Sequence, residues 1–205
     1  SDVYKRQFID CEYPMIATAR LSGMMLDYPK LLDKGIGGLR SDLQEKLKEQ
    51  PDNNFYKAGI QCLDIFVDCA SHLQQDAREQ MASANMKRQK ELERICQALE
   101  NIKEKKPGTF HEAMQLFWLF ALLAGVINYG RLDDYLGPYL VADLKSGRLT
   151  DEEAYRYIHS LWTMIENRRT TVNGRIIVGG KGRKHPKEAD VFLHIAMKVA
   201  KNCRY

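Results

Sequence analysis

Apolar residues recur at three- and four-residue intervals along most of the chain, which is the spacing of one face of an α-helix. From Phe55 the set is Phe55, Gly59, Cys62, Phe66, Ala70, Leu73 and Ala77, predicting a long amphipathic helix. Leu92, Ile95, Cys96, Leu99 and Ile102 repeat the pattern and stop before Pro107. Upstream, Asp27-Tyr-Pro supplies an N-cap and a first-turn proline for a helix running to about Glu49. Gly35, Gly37 and Gly38 interrupt it, so two short helices with a bend fit as well as one. Thr109-Phe-His-Glu112 is a capping box, in which hydroxyl and carboxylate satisfy the first free amides reciprocally. The helix it opens is apolar nearly all round, so burial on most sides is expected. A further helix is predicted from Leu132 to Lys145, stopped by Gly147. Thr150-Asp-Glu-Glu153 is a second capping box, and its helix turns Tyr157, Ile158, Leu161, Trp162 and Ile165 inward.

The pattern changes at Arg175-Ile-Ile-Val-Gly-Gly180, a β-branched run closed by glycines and therefore a strand signal. Pro186 then opens a helix whose inner face is Phe192, Ile195, Ala196 and Val199. The expected fold is mostly α with a strand near the C-terminus. A lone strand has unsatisfied edges, so the pattern implies sheet that these 205 residues do not supply. Residues 1–7 fit no periodic pattern, and the chain stops at Tyr205 in a stretch that still reads as helix, so both ends are read as cut.

Composition narrows the function classes. Hydrophobic residues at 44% and charged residues at 28% are those of an ordinary globular protein. The longest apolar run, Leu116 to Ile127, spans 12 residues, short of the roughly 20 that cross a bilayer, so no membrane partner is expected. Five cysteines without Cys-x-x-Cys spacing, and no leader pattern at the start, point to free thiols in a cytoplasm. Seven Lys or Arg and no acid lie between Asn167 and Lys187. They read either as solvated charges or as a surface for an acidic partner or nucleic acid.

The candidate motifs mostly fail. Strand, Gly179-Gly-Lys-Gly-Arg-Lys-His185 and helix make a possible phosphate cradle, but neither dinucleotide nor P-loop spacing is met, and a tight glycine turn explains the same residues. His111-Glu112 begins like a zinc-protease motif, yet position 115 is Gln, so no metal site is predicted. His72, His159 and His194 stand alone on helices. Cys62 and Cys69 are placed on or beside an apolar face. No nucleophile elbow is present.

Four segments in order carry a resemblance. Pro107-Gly-Thr-Phe-His-Glu-Ala-Met-Gln-Leu-Phe-Trp118, Gly130-Arg-Leu-Asp-Asp-Tyr-Leu-Gly-Pro-Tyr139, Asp143-Leu-Lys-Ser-Gly-Arg-Leu-Thr-Asp-Glu-Glu-Ala154 and Ile176-Ile-Val-Gly-Gly180 with Ala189-Asp190 are similar to segments of the glycyl radical enzymes, the pyruvate formate-lyase and glycyl radical dehydratase family. Asp27 to Leu39 resembles the helix that opens this region more weakly. The resemblance runs over residues 8–205 and implies the N-terminal to middle part of a pyruvate formate-lyase-like domain. It implies a partial α/β barrel, namely helical sheath plus the first strand of a ten-stranded barrel. In that family a glycyl radical converts a facing cysteine to a thiyl radical, which attacks the substrate.

Neither the family's Gly-Cys-x-Glu loop nor its Arg-Val-x-Gly-Tyr loop is present, so no catalytic residue is assigned and the chain alone is expected to be inactive. Cys203 is expected in a helix, not at a loop tip. The resemblance further implies a radical S-adenosylmethionine activating enzyme with an iron–sulfur cluster, a small-molecule substrate and a homodimer. No cofactor bound by these residues is implied. Gly23 aligns where pyruvate formate-lyase has a substrate-binding Arg and the diol dehydratases a His, and Gly125-Val126 where the latter have His-Ser. Both departures argue against pyruvate, glycerol and propanediol as substrates. Asn128, Tyr129, Arg131 and Asp133 are the candidate pocket residues; for Arg131 and Asp133 the alternative is a structural ion pair and helix cap.

Overall fold

The computed structural model describes residues 24–168 and 174–202. Among the described residues seven helices and two short strands follow one another: α1 (Tyr28–Glu49), α2 (Asn54–Met81), α3 (Met86–Ile102), α4 (Phe110–Leu123), β1 (Asn128–Arg131), α5 (Leu132–Ser146), α6 (Asp151–Asn167), β2 (Arg175–Ile177) and α7 (Pro186–Asn202).

The bend expected at the glycines of α1 is present. Gly35 has φ +64°, and a Cβ there would lie 2.6 Å from the Lys106 amide, so α1 breaks where it crosses the α3–α4 connection. The inner face of α2 differs from the expected one. Phe66, Ala70 and Ala77 are buried, but Phe55 is 76% exposed, Leu73 is exposed and Cys62 is exposed. Leu63 and Gln74 turn inward instead. A glutamine in a core position disguised the face. It is held there because Gln74 Nε2 donates to the Cys96 carbonyl and to Glu100, while its oxygen accepts from Lys103, each at 2.9 Å.

Most of the remaining helices follow their local signals. Gly147 adopts the left-handed conformation that ends α5. Thr150 and Glu153 form both halves of the predicted capping box. At α4 only half of it forms: Thr109 Oγ1 accepts from the Glu112 amide at 3.2 Å. The Glu112 carboxylate turns away to Gly108 N and Asn101 Nδ2, both at 2.7 Å, and so ties α4 to α3. The α7 face is as expected, with Phe192, Ile195, Ala196 and Val199 buried.

The expectation of a single strand is corrected. β1 pairs in parallel with β2, Asn128 opposite Arg175 and Arg131 opposite Ile177, with an irregularity between Asn128 and Gly130. Met25 adds a parallel bridge to Asn128. Asn-Tyr-Gly-Arg shows no alternation because Gly130, at φ +59°, turns the chain within the strand. A Cβ at Gly130 would meet Met25 Sδ at 2.1 Å, so the close approach of these two segments requires glycine.

One core joins the helices to the sheet. Phe110, Leu116 and Phe117 of α4 are fully buried at its centre. Tyr28 meets Phe117 edge-on at 5.0 Å and stacks on Tyr135 at 5.3 Å. Removing each such side chain from water is worth about 1.5–3 kcal/mol. A smaller cluster of Ala77, Leu92 and Cys96 closes the α2–α3 hairpin.

Candidate functional site

Parallel sheets bind ligands outside the carboxyl ends of their strands. Here that end is made by Arg131, the first turn of α5, and the Gly179–His185 loop between β2 and α7. Gly179, Gly180 and Gly182 have φ of +75°, +80° and +79°, a conformation that strains other residues.

Two adjacent carboxylates of α5 hold this loop. Asp133, fully buried, accepts from the Gly179 amide at 2.6 Å through Oδ2, and the same oxygen lies 3.7 Å from Arg183 Nη1. Asp134 accepts from the amides of Lys184 at 3.0 Å and His185 at 2.8 Å, capping the start of α7. Gly137, one helical turn on, lets α7 approach so closely that a Cβ would lie 2.9 Å from the Glu188 carbonyl. Three amides that a phosphate cradle would offer are therefore committed to carboxylates of the chain itself.

The four candidate pocket residues separate into distinct places. Asn128 lies at the amino end of β1, where its Oδ1 accepts from Gly130 N at 3.2 Å. Tyr129 is fully buried against Phe117 and Trp118 of α4, at 5.8 and 5.9 Å between ring centroids. Its hydroxyl accepts from Arg168 at 2.8 Å, and its carbonyl accepts from the Tyr135 hydroxyl at 2.7 Å. Burial pushes the Tyr135 hydroxyl well above the usual tyrosine range, with Tyr28 and Tyr129 adding to the effect. Arg131 and Asp133 do come together, at the glycine loop: Arg131 Nη2 lies 3.6 Å from where a Cβ of Gly180 would stand. Asp133 is paired with Arg183, not with Arg131. Arg131 occupies the N-cap position of α5 and makes no side-chain cap bond.

The sequence shows Arg168 only as a member of a basic run, and Arg183 in that run and in the glycine loop. Both are turned to partners within the fold, since Arg168 also donates to the Val126 carbonyl at 2.8 Å and Arg183 bridges Asp133 and Asp190. Nothing local in the sequence ties Arg183 to Asp133, fifty positions earlier.

Gly125 and Val126 end α4. The Val126 amide bonds to the Ala121 carbonyl and the Gly125 amide to Leu122, both at 3.1 Å, with Gly125 left-handed at φ +66°. Gly23, Arg169, Cys11 and Cys203 lie outside the described residues. His72, His159 and His194 are exposed. Cys69 is half-buried, beside the core as expected. Among the described residues no three His, Cys, Asp or Glu side chains are grouped to hold a metal ion, and no helix is long and apolar enough to cross a membrane. His111 stacks on Tyr157 at 5.1 Å, and burial holds its imidazole below the usual histidine range.

The sequence matches the Pyruvate formate lyase-like family over residues 1–205. This chain belongs to that family. It is 28% identical over 153 residues to isethionate sulfite-lyase of Oleidesulfovibrio alaskensis, covering 66% of this chain and 18% of the relative. It is 30% identical over 161 residues to (2S)-3-sulfopropanediol dehydratase of Klebsiella oxytoca, covering 70% of this chain and 19% of the relative. A glycyl radical enzyme from Archaeoglobus fulgidus superposes with a TM-score of 0.63 at 26% identity, over 67% of this chain and 20% of that one. The chain thus spans about a fifth of the length of these relatives. The helices and parallel strand pair are a part of the glycyl radical enzyme barrel.

Proposed function

We propose that the complete protein is a glycyl radical enzyme acting on a small molecule. A glycyl radical takes the hydrogen atom of a cysteine thiol, and the resulting thiyl radical takes one from a substrate carbon. An S–H bond forms as the C–H bond breaks; the substrate radical then loses its leaving group, and the product radical takes the hydrogen atom back from the thiol, restoring the thiyl radical. The cysteine and glycine that do this lie outside the 205 residues, and the chain alone is inactive. A radical S-adenosylmethionine activating enzyme installs the radical, and the complete protein works as a cytoplasmic homodimer. The lyase or dehydratase branch is favoured over formate acetyltransfer, because the relatives named above are a sulfite-lyase and a dehydratase.

The observation that supports this reading most is the family match over residues 1–205, within which two of the matching segments form one structural unit. Asp133 of Gly130–Tyr139 bonds the amide of Gly179 in Ile176–Gly180. The competing use of residues 167–187 as a nucleic-acid surface is weakened by Arg168 and Arg183, which are spent on internal partners.

The test is anaerobic turnover of isethionate and (2S)-3-sulfopropanediol by the complete protein with its activating enzyme. Product is expected from the complete protein and none from the 205-residue chain. Turnover by the short chain, or an activated complete protein inert towards both hydroxysulfonates and towards hydroxylated carboxylates, contradicts the proposal.

A further inference from the structure

α2 carries more apolar surface than the core uses. One line of it, Leu63, Phe66 and Ala70, is buried in the common core. A second line runs beside the first: Phe55, Ala58, Cys62, Ile65 and Cys69, spaced alternately three and four apart. Phe55 is 76% and Ile65 58% exposed, Ala58 and Cys62 are exposed, and Cys69 is half-buried. The charged residues of the same stretch, Lys57, Asp64 and Asp68, stand off this line. Single apolar residues are ordinary on a protein surface. Five in register along about 21 Å of one helix, with no charge among them, are not.

Alternation of three and four is the pattern of a seam against which a second helix packs. The next two positions on the line are His72 and Asp76, so the seam closes after Cys69. Leu73, exposed beyond that point, is not flanked by apolar positions of the line.

What fills the seam is narrowed by its chemistry and by chain length. An uncharged row that includes two free thiols has the character of a permanently covered interface, which is built like a protein core. A partner that comes and goes would leave the row in water between encounters. The matched stretch is only 18% to 20% of each relative's length, so a protein of that length has ample chain elsewhere to cover it.

We infer that the Phe55–Cys69 seam of α2 is occupied by a helix from the part of the complete protein outside these 205 residues. The α2–α3 hairpin is then an inner layer of the complete protein and not its outer skin. This rests on the reading that the chain is part of a longer protein, and not on the radical chemistry.

Cys62 and Phe55 report on the seam directly. In the complete protein, purified without radical, alkylation of Cys62 by iodoacetamide is followed by mass spectrometry of its peptide. Cys62 is expected to react roughly a hundredfold more slowly in the native than in the denaturant-unfolded protein. With photoreactive p-benzoylphenylalanine in place of Phe55, illumination should link position 55 to a residue of the same polypeptide outside the 205. Ile65→Thr should lower the melting temperature by several degrees, while Lys57→Gln, off the seam, leaves it unchanged.

Native Cys62 that reacts as fast as in the unfolded protein overturns the inference. A cross-linked product of dimer mass also overturns it, because the seam then belongs to a second copy. An Ile65→Thr protein that melts with the parent does the same. Protected Cys62 in a protein that yields no radical on activation leaves the seam standing and sinks the reading of the reaction. A glycyl radical in a protein with freely reacting Cys62 does the reverse.

Discussion

The α2–α3 hairpin and the loop that follows β2 satisfy their polar groups by different means. In the hairpin the bonding is largely local to the two helices: Asn53 and Asn85 cap them, and the one buried amide, Gln74, uses both ends of its side chain within the pair. Around the loop the partners come from far along the chain, and among the described residues three buried atoms there lack one. The hairpin is finished as scaffold. The loop is held by side chains from distant parts of the chain.

That contrast is open to a graded set of substitutions, read by denaturant unfolding. Phe117→Ala removes the ring at the centre of the common core and should cost about 3–5 kcal/mol. Asp133→Ala strips the Gly179 amide of its buried acceptor, with about 1–3 kcal/mol lost. A loss as large as that of Phe117→Ala would mean the loop is core scaffold and would erase the distinction. Thr150→Ala breaks a local capping box and should cost about 1 kcal/mol.

Acid should act on the helices in two steps. The His111 imidazole is held below its ordinary range by burial, so the folded state binds fewer protons than the unfolded chain. Stability should fall as pH drops through the ordinary histidine range, and His111→Gln should flatten that part of the profile. The Glu153 carboxyl is lowered, first by its bond from the Thr150 amide, so its contribution fades only at more acid pH, as that carboxyl takes up its proton. Smallest of all, Leu73→Gln on the exposed side of α2 should change stability by no more than about 0.5 kcal/mol.

What was legible in the sequence follows the same division. Gly147, the Thr150–Glu153 box and the α7 face were readable because their partners lie within a turn or two. The α2 face was misread because Gln74 stands where an apolar residue was sought. β1 was missed because a four-residue strand containing Gly130 and Asn128 has no alternation to read. The need of β2 for a neighbour was legible, but that neighbour was expected outside these 205 residues and lies within them. Of the candidate site, Arg131 and Asp133 were named, but their companions were not. Asp133 reaches Gly179 across 46 positions and Arg168 reaches Tyr129 across 39, distances over which residue spacing carries no signal.

The most direct test of the central reading is electron paramagnetic resonance of the complete protein after anaerobic incubation with its activating enzyme and S-adenosylmethionine. An organic radical is expected whose hyperfine splitting collapses when the protein is grown with glycine deuterated at its α-carbon. S-adenosylmethionine cleavage with no organic radical, or a radical indifferent to that label, would contradict the assignment to glycyl radical chemistry.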